Sequence, residues 1–89
     1  MAARKILICD DDRDLREALV EQLSLYEEFE TLPVDGAKAA IEAARTHPID
    51  LLIMDVGLPE MDGREAVKLM RKGGFKAPII MLKIGRAHV

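Results

Sequence analysis

The sequence Lys5-Ile-Leu-Ile-Cys-Asp-Asp-Asp12 joins a continuous apolar run directly to three carboxylates. Continuous apolar runs, unlike alternating ones, are typical of strands that are buried on both faces of a parallel sheet. A second such run, Asp50-Leu-Leu-Ile-Met-Asp55, also ends in a carboxylate, and a third, Pro78-Ile-Ile-Met-Leu82, lies further along. We therefore predict a strand at each of these three runs, two of which carry acidic residues at their carboxyl ends.

The segments between these runs predict three helices and one more exposed strand. The first helix has an apolar stripe at helical spacing, with Asp12 placed to cap its first turn. The exposed strand covers residues 29–32 and is expected to end at Pro33. The boundaries of the other two helices are predicted from turn and cap residues: Asp35-Gly36 and His47-Pro48 for the second, Asp62 and Gly73-Gly74 for the third.

The resulting order β-α-β-α-β-α-β predicts an α/β fold with a doubly wound parallel sheet and right-handed crossovers. If the strand order is 2-1-3-4, the first and third strands are neighbours at the point where the order reverses. Ligands bind to sheets of this kind at that point, beyond the carboxyl ends of the strands. Asp10, Asp11 and Asp55 would then converge in one pocket.

Composition limits the function classes. A chain of 89 residues forms at most one domain, and its net charge of −3 comes without a basic run that would track nucleic acid. Cys9 is the only cysteine, so no internal disulfide can form, and we interpret it as a small buried apolar residue. We find neither a signal peptide nor a membrane-spanning stretch, and we expect a cytoplasmic protein.

Three converging carboxylates repel one another, and a hard divalent cation with oxygen ligands would offset that repulsion. Mg²⁺ fits such a site, and with it one aspartate can attack a phosphoryl donor and form an aspartyl phosphate. Each residue alone has a plainer interpretation, because acidic residues before helices are commonly caps and those after strands are commonly turn residues. For the loop after Asp55, we expect Pro59 to shape the chain and Gly63 to adopt a backbone conformation closed to other residues.

The combination of motifs resembles the receiver domain of bacterial response regulators, which has a flavodoxin-like fold. The likeness covers residues 4–82 without a gap, and its motifs are specific in combination: the opening strand at 5–12, the loop Asp55-Val-Gly-Leu-Pro-Glu-Met-Asp-Gly63 and the strand at 78–82. The resemblance implies that Asp55 is the phosphoacceptor and that Asp11 binds Mg²⁺ directly. It also implies that Asp10 binds the ion through water and that the backbone carbonyl of Gly57 completes the protein ligands.

The resemblance also implies partners. A sensor histidine kinase would supply the phosphoryl group, and DNA would be contacted only through a C-terminal output domain of the parent protein. The module would not be an enzyme, beyond promoting its own phosphorylation and dephosphorylation. No membrane and no small molecule other than a phosphodonor is expected as a partner.

The sequence departs from the family after residue 82. Lys83 stands at the switch position where the family has Thr or Ser, and the expected fifth strand and last two helices are missing. Residues 84–89 can be encoded by ATC GGA AGA GCA CAC GTC, which matches a common sequencing adapter. We therefore hypothesise that residues 83–89 form a non-native tail read from the adapter, and that the true residue 83 is Thr or Ser.

Two other functions stay open at this point. Asp10-Asp11-Asp12 contains the Asp-x-Asp spacing of phosphohydrolases with an aspartate nucleophile, although Arg13 follows where those enzymes usually have Thr or Val. The chain could also be a non-signalling interaction fragment with a vestigial site. Substitution of Asp10 or of Asp55 distinguishes the phosphohydrolase from the phosphoacceptor, and loss of Mg²⁺ binding would favour the fragment.

Overall fold

Four parallel strands alternate with three helices in the computed structural model, which describes residues 3–82. The elements, in chain order, are β1 (Arg4–Cys9), α1 (Arg13–Leu23), β2 (Phe29–Val34), α2 (Ala37–Thr46), β3 (Leu51–Asp55), α3 (Gly63–Lys72) and β4 (Ile79–Leu82). Lys83, the expected switch position, and the tail that follows it lie outside the described residues.

The sheet has the order β2-β1-β3-β4, which confirms the predicted doubly wound topology. β1 lies between β2 and β3, and its register places Cys9 opposite Val34 on one side and Met54 on the other. The residues that follow Cys9 and Met54 are Asp10 and Asp55. The carboxyl ends of β1 and β3 therefore bring these two aspartates to the same level of the sheet.

Helices cover the sheet on both faces, and the two faces are packed unequally. One face buries Leu7, Cys9, Leu52 and Met54 against α2 and α3, which contribute mainly alanines and Met70. The other face carries a smaller cluster around Ile6, Ile8 and Ile53, and α1 packs on it with side chains that are only partly buried. Most of the tightly packed interior therefore lies on the α2 and α3 side.

The helices begin and end where local signals predict. Asp12 caps α1 by accepting a hydrogen bond from the Leu15 amide, and Asp62 caps α3 by accepting one from the Arg64 amide. α2 stops because His47, which precedes a proline, has extended backbone angles. None of the described helices is long and apolar enough to cross a membrane.

The predicted end of the second strand at Pro33 is wrong, because β2 continues to Val34. Pro33 lies within the strand and pairs in register with Ile8 of β1. Within residues 3–82, β2 bonds only to β1 and so forms an edge of the described sheet. Proline is tolerated on an edge strand because its missing N–H can face away from the neighbouring strand.

Candidate functional site

Asp10, Asp11 and Asp55 form the cluster that the sequence predicts. Each offers a carboxylate oxygen, and these three oxygens all lie within 4.8 Å of one another. Asp10 and Asp55 are buried, with 0% and 4% of their surface exposed, whereas Asp11 is exposed. The cluster is therefore a pocket with a buried floor and an opening to solvent beside Asp11.

Backbone hydrogen bonds and the guanidinium group of Arg16 hold Asp10 in place. Its amide donates to the carbonyl of Val34, and its Oδ1 accepts a 2.8 Å hydrogen bond from the Asp12 amide. The carbonyl oxygen of Asp10 accepts a 2.8 Å hydrogen bond from Nη1 of Arg16, one turn into α1. The turn from β1 into α1 is thus fixed at both the main chain and the side chain of Asp10.

The orientation of Asp55 depends on the loop that follows it. Oδ1 of Asp55 accepts a 3.0 Å hydrogen bond from the amide of Gly57. The amide of Val56, which lies between Asp55 and Gly57 in the chain, donates to the carbonyl of Leu82, so the loop leaves the sheet alongside the end of β4. These bonds orient the carboxylate toward the end of β1 while the backbone turns away.

Gly63 has a different role from the one predicted. Among residues 3–82 the only glycine with positive φ is Gly74, so Gly63 does not need an unusual backbone conformation. A Cβ on Gly63 would collide with the backbone carbonyl oxygen of Asp55 and lie 3.1 Å from the side chain of Met54. Glycine is needed here because the first turn of α3 passes directly against the end of β3.

The site has a strongly negative environment, which is visible at its neighbour Cys9. Burial, together with the negative charges of Asp10 and Asp55, raises the pKa of the Cys9 thiol to about 12. A thiolate at this position would be both desolvated and repelled. A cation in the pocket would relieve the repulsion that the aspartates exert on one another.

The donor set fits a hard divalent cation. All three side chains offer carboxylate oxygens, which Mg²⁺ prefers over nitrogen or sulfur ligands, and the exposed side leaves room for water ligands. Gly57 lies two residues beyond Asp55 with its amide bonded to that side chain, and the ligand role of its carbonyl stays a prediction. Pro59 is exposed in the loop, next to Leu58, which is buried in the core.

Two contacts around the site could not be read from the sequence. Arg16 reaches the main chain of Asp10 from α1, and Glu60 reaches the first amide of α2 from a loop 23 residues away. Neither residue type stands out in its local pattern, since an arginine on α1 and a glutamate in an exposed loop are ordinary. The only feature of the sequence that could have pointed to these two residues is that Arg16 lies close to Asp10, and Glu60 close to Asp55, along the chain.

Comparison with known proteins places this site in a family. The family profile described as "Response regulator receiver domain" matches residues 6–87. The response regulator MprA of Mycobacterium leprae is 40% identical over 78 residues, covering 88% of this chain and 34% of that protein. A protein-glutamate methylesterase/protein-glutamine glutaminase of a Nocardioides species is 37% identical over 83 residues, covering 91% and 22%. The chain therefore spans about a third or less of these relatives.

Solved structures give the same result. Chemotaxis protein CheY4 of Vibrio cholerae superimposes with a TM-score of 0.88 at 28% identity, over 97% of this chain and 72% of that one. Response regulator TrrA of Thermotoga maritima, solved with Mg²⁺ and beryllium fluoride, gives a TM-score of 0.80 at 31% identity, over 88% and 67%. The described residues therefore have the fold of these solved response regulators.

Proposed function

Because this chain belongs to the response regulator receiver domain family, we propose that Asp55 accepts a phosphoryl group from a sensor histidine kinase. The observation that carries the proposal is the convergence of three carboxylates from the ends of β1 and β3 within 4.8 Å. Holding three like charges this close lowers the stability of the folded state. A bound cation that neutralises these charges accounts for the arrangement.

The transfer is a direct displacement at phosphorus. A carboxylate oxygen of Asp55 forms a new O–P bond while the N–P bond of the phosphohistidine donor breaks and the imidazole leaves with the electron pair. Oδ1 of Asp55 is held by the amide of Gly57, so the carboxylate is oriented before the donor arrives. Burial of Asp55 limits its hydration, which leaves the nucleophile partly desolvated.

The residues that would hold Mg²⁺ are Asp10, Asp11, Asp55 and the backbone carbonyl of Gly57. When bound, the ion supplies positive charge that offsets the charge of the transferring phosphoryl oxygens. Asp11, which is exposed, lies on the side from which the ion and the donor enter. Asp10, which is buried and fixed by its backbone contacts, acts from the floor of the pocket through a water ligand.

We place the module in the cytoplasm, within a longer parent protein. The chain spans 34% of MprA and 22% of the methylesterase. In the parent, the receiver would control an attached output domain, for which a DNA-binding transcription regulator is our first candidate. The module itself would promote only its own phosphorylation and dephosphorylation.

The test uses a small phosphodonor in place of the kinase. The protein is incubated with acetyl phosphate and Mg²⁺, and intact mass is measured for the wild type and for Asp55→Asn, Asp10→Asn and Asp14→Asn. Asp14→Asn is the matched control, since this aspartate is exposed on α1. We expect one added phosphoryl group on the wild type and the control, and none on Asp55→Asn.

The other outcomes separate the alternatives. Labelling that survives Asp55→Asn and disappears in Asp10→Asn would overturn the proposal in favour of a phosphohydrolase with its nucleophile on β1. Absence of labelling in every variant, together with absence of Mg²⁺ binding by calorimetry, would overturn it in favour of a non-signalling interaction fragment. Labelling of the wild type that does not depend on Mg²⁺ would contradict the role assigned to the ion.

A further inference from the structure

The helix α2 begins without a cap from its own segment. Its N-cap residue is Gly36, which has no side chain to accept a hydrogen bond, and its first turn contains no acidic residue. The first amides of a helix need acceptors, and the positive end of the helix dipole favours a carboxylate there. Oε1 of Glu60 fills this place by accepting a 3.3 Å hydrogen bond from the amide of Ala37.

Gly36 provides the space for this contact. A Cβ at Gly36 would lie 2.5 Å from Oε1 of Glu60, closer than any such pair of atoms can approach. The φ of Gly36 is −160°, which is extended backbone that any residue can adopt. The backbone conformation at position 36 therefore does not require glycine. Glycine is needed there because the Glu60 carboxylate occupies the space that a Cβ would fill.

Glu60 lies in the middle of the loop between β3 and α3. Near one end of the loop, the amide of Gly57 is bonded to Asp55, and the two ends are joined where the amide of Gly63 donates to the carbonyl of Val56. Glu60 and its neighbour Pro59 are exposed, whereas Leu58 before them is buried in the core and Met61 after them packs against it, partly buried. The hydrogen bond from the Ala37 amide adds a polar contact between the exposed Pro59-Glu60 segment and the start of α2.

We propose that Glu60 is a positioning residue for the acidic site, acting as a clamp that fastens the loop after Asp55 to the start of α2. The inference rests on the proposed function of Asp55. With the clamp closed, the loop keeps Gly57 against the Asp55 carboxylate. With it open, a fraction of molecules has the loop displaced, and both Mg²⁺ affinity and the phosphorylation rate fall by that fraction.

A double-mutant cycle between Glu60 and Gly36 tests the clamp. Glu60→Ala should lower Mg²⁺ affinity, measured by calorimetry, and the rate of labelling by acetyl phosphate, each by roughly twofold to thirtyfold, the range that corresponds to loss of a helix cap. Gly36→Ala should reproduce the effect, since its methyl group displaces the carboxylate. In the Glu60→Ala background, Gly36→Ala should have no further effect on either quantity.

Two variants separate positioning from general stability. Glu60→Gln keeps an oxygen that accepts from Ala37, and it should retain most of the affinity and rate. Glu65→Ala removes an exposed acid from the first turn of α3 and should leave both quantities unchanged. Full activity in Glu60→Ala, or additive effects of the Glu60 and Gly36 substitutions, would overturn the clamp.

Failure of the clamp and failure of the proposed function give different results. If Asp55 is labelled normally and Glu60→Ala matches the wild type, only the clamp is refuted. If Asp55 is never labelled, the cycle can still be read from Mg²⁺ affinity and from urea unfolding. Non-additivity there would support the clamp while the phosphoacceptor role is rejected.

Discussion

Nη1 of Arg16 lies 2.8 Å from the backbone carbonyl oxygen of Asp10, which joins the second turn of α1 to the end of β1. α1 has no fully buried side chain among the described residues, so a polar contact at this end carries more of its attachment than is usual for a helix. The contact also fixes the turn that carries Asp10 and Asp11. Stability of α1 and geometry of the acidic pocket are thereby linked.

Arg16→Met should lower the free energy of unfolding by about 1–2 kcal/mol, because it removes a hydrogen bond from a charged donor while keeping the aliphatic stem and the helix propensity. The matched control is Arg13→Met. Arg13 is exposed and pairs with Glu17 at 3.1 Å, so its replacement should cost no more than about 0.5 kcal/mol. Urea unfolding at neutral pH measures both, and equal losses would contradict the anchoring role of Arg16.

Asp55→Asn should raise the free energy of unfolding in the presence of EDTA. The amide is isosteric, can still accept from the Gly57 amide, and removes one of three charges that lie together. We expect a gain of about 1–3 kcal/mol from the relieved repulsion. Mg²⁺ should then stabilise the wild type more than the variant, since a ligand of the native state adds RT ln(1 + [L]/Kd), which increases as the affinity increases. A variant that is less stable than the wild type in EDTA would show that the carboxylates are not in conflict.

Asp11→Ala should weaken Mg²⁺ binding more than Asp10→Ala does. Asp11 is exposed at the mouth of the pocket and is assigned the direct contact, whereas Asp10 is assigned a contact through water. Calorimetric titration of both variants with Mg²⁺ gives the order. A larger loss of affinity in Asp10→Ala would exchange the two roles.

Gly63→Ala should destabilise the protein by about 1–3 kcal/mol, because its methyl group meets the rigid backbone of Asp55 and the nearby Met54. Gly73 provides the control. A Cβ there meets its nearest atoms at 3.5 and 3.6 Å, and φ is −80°, so Gly73→Ala should be neutral or stabilising by up to about 1 kcal/mol. Thermal or urea unfolding compares the two, and a neutral Gly63→Ala would refute the close approach of α3 to β3.

Cys9 should resist thiol reagents in the folded protein and produce an alkaline loss of stability. Its pKa is raised from 9.0 to about 12 by burial and by nearby charges, so between these values the thiol ionises only in the unfolded chain. Stability attributable to Cys9 is complete below pH 9 and falls as pH rises, by at most about 1.4 kcal/mol per pH unit. The comparison is between wild type and Cys9→Ala in EDTA. An identical pH slope in both proteins would contradict this assignment.

Sequence patterns predicted the elements whose signals are local, and they failed where a contact depends on the tertiary structure. Continuous apolar runs predicted β1 and β3 with their acidic ends, because burial on both faces of a sheet leaves that pattern directly. The end of β2 was predicted wrongly at Pro33, because a proline would end a central strand but is acceptable within an edge strand. Only the strand order shows that β2 is at an edge of the described sheet. In the Arg16 and Glu60 contacts, a side chain bonds to the main chain of another part of the chain. The periodicity of apolar residues carries no information about such contacts.

The pairing of Cys9 with Met54 has a consequence for how the length of this protein can vary. Asp10 and Asp55 meet because two strands are in register, and the number of residues between them plays no part. Insertions in the exposed turn around Pro48 should therefore be tolerated, since that turn lies at the opposite end of the sheet. A single residue inserted within β3 should instead turn the acidic side chain at its end away from its partners, because neighbouring residues of a strand face opposite sides. Lineages can lengthen this chain at the end of the sheet opposite the aspartates, but not inside the two strands that carry them.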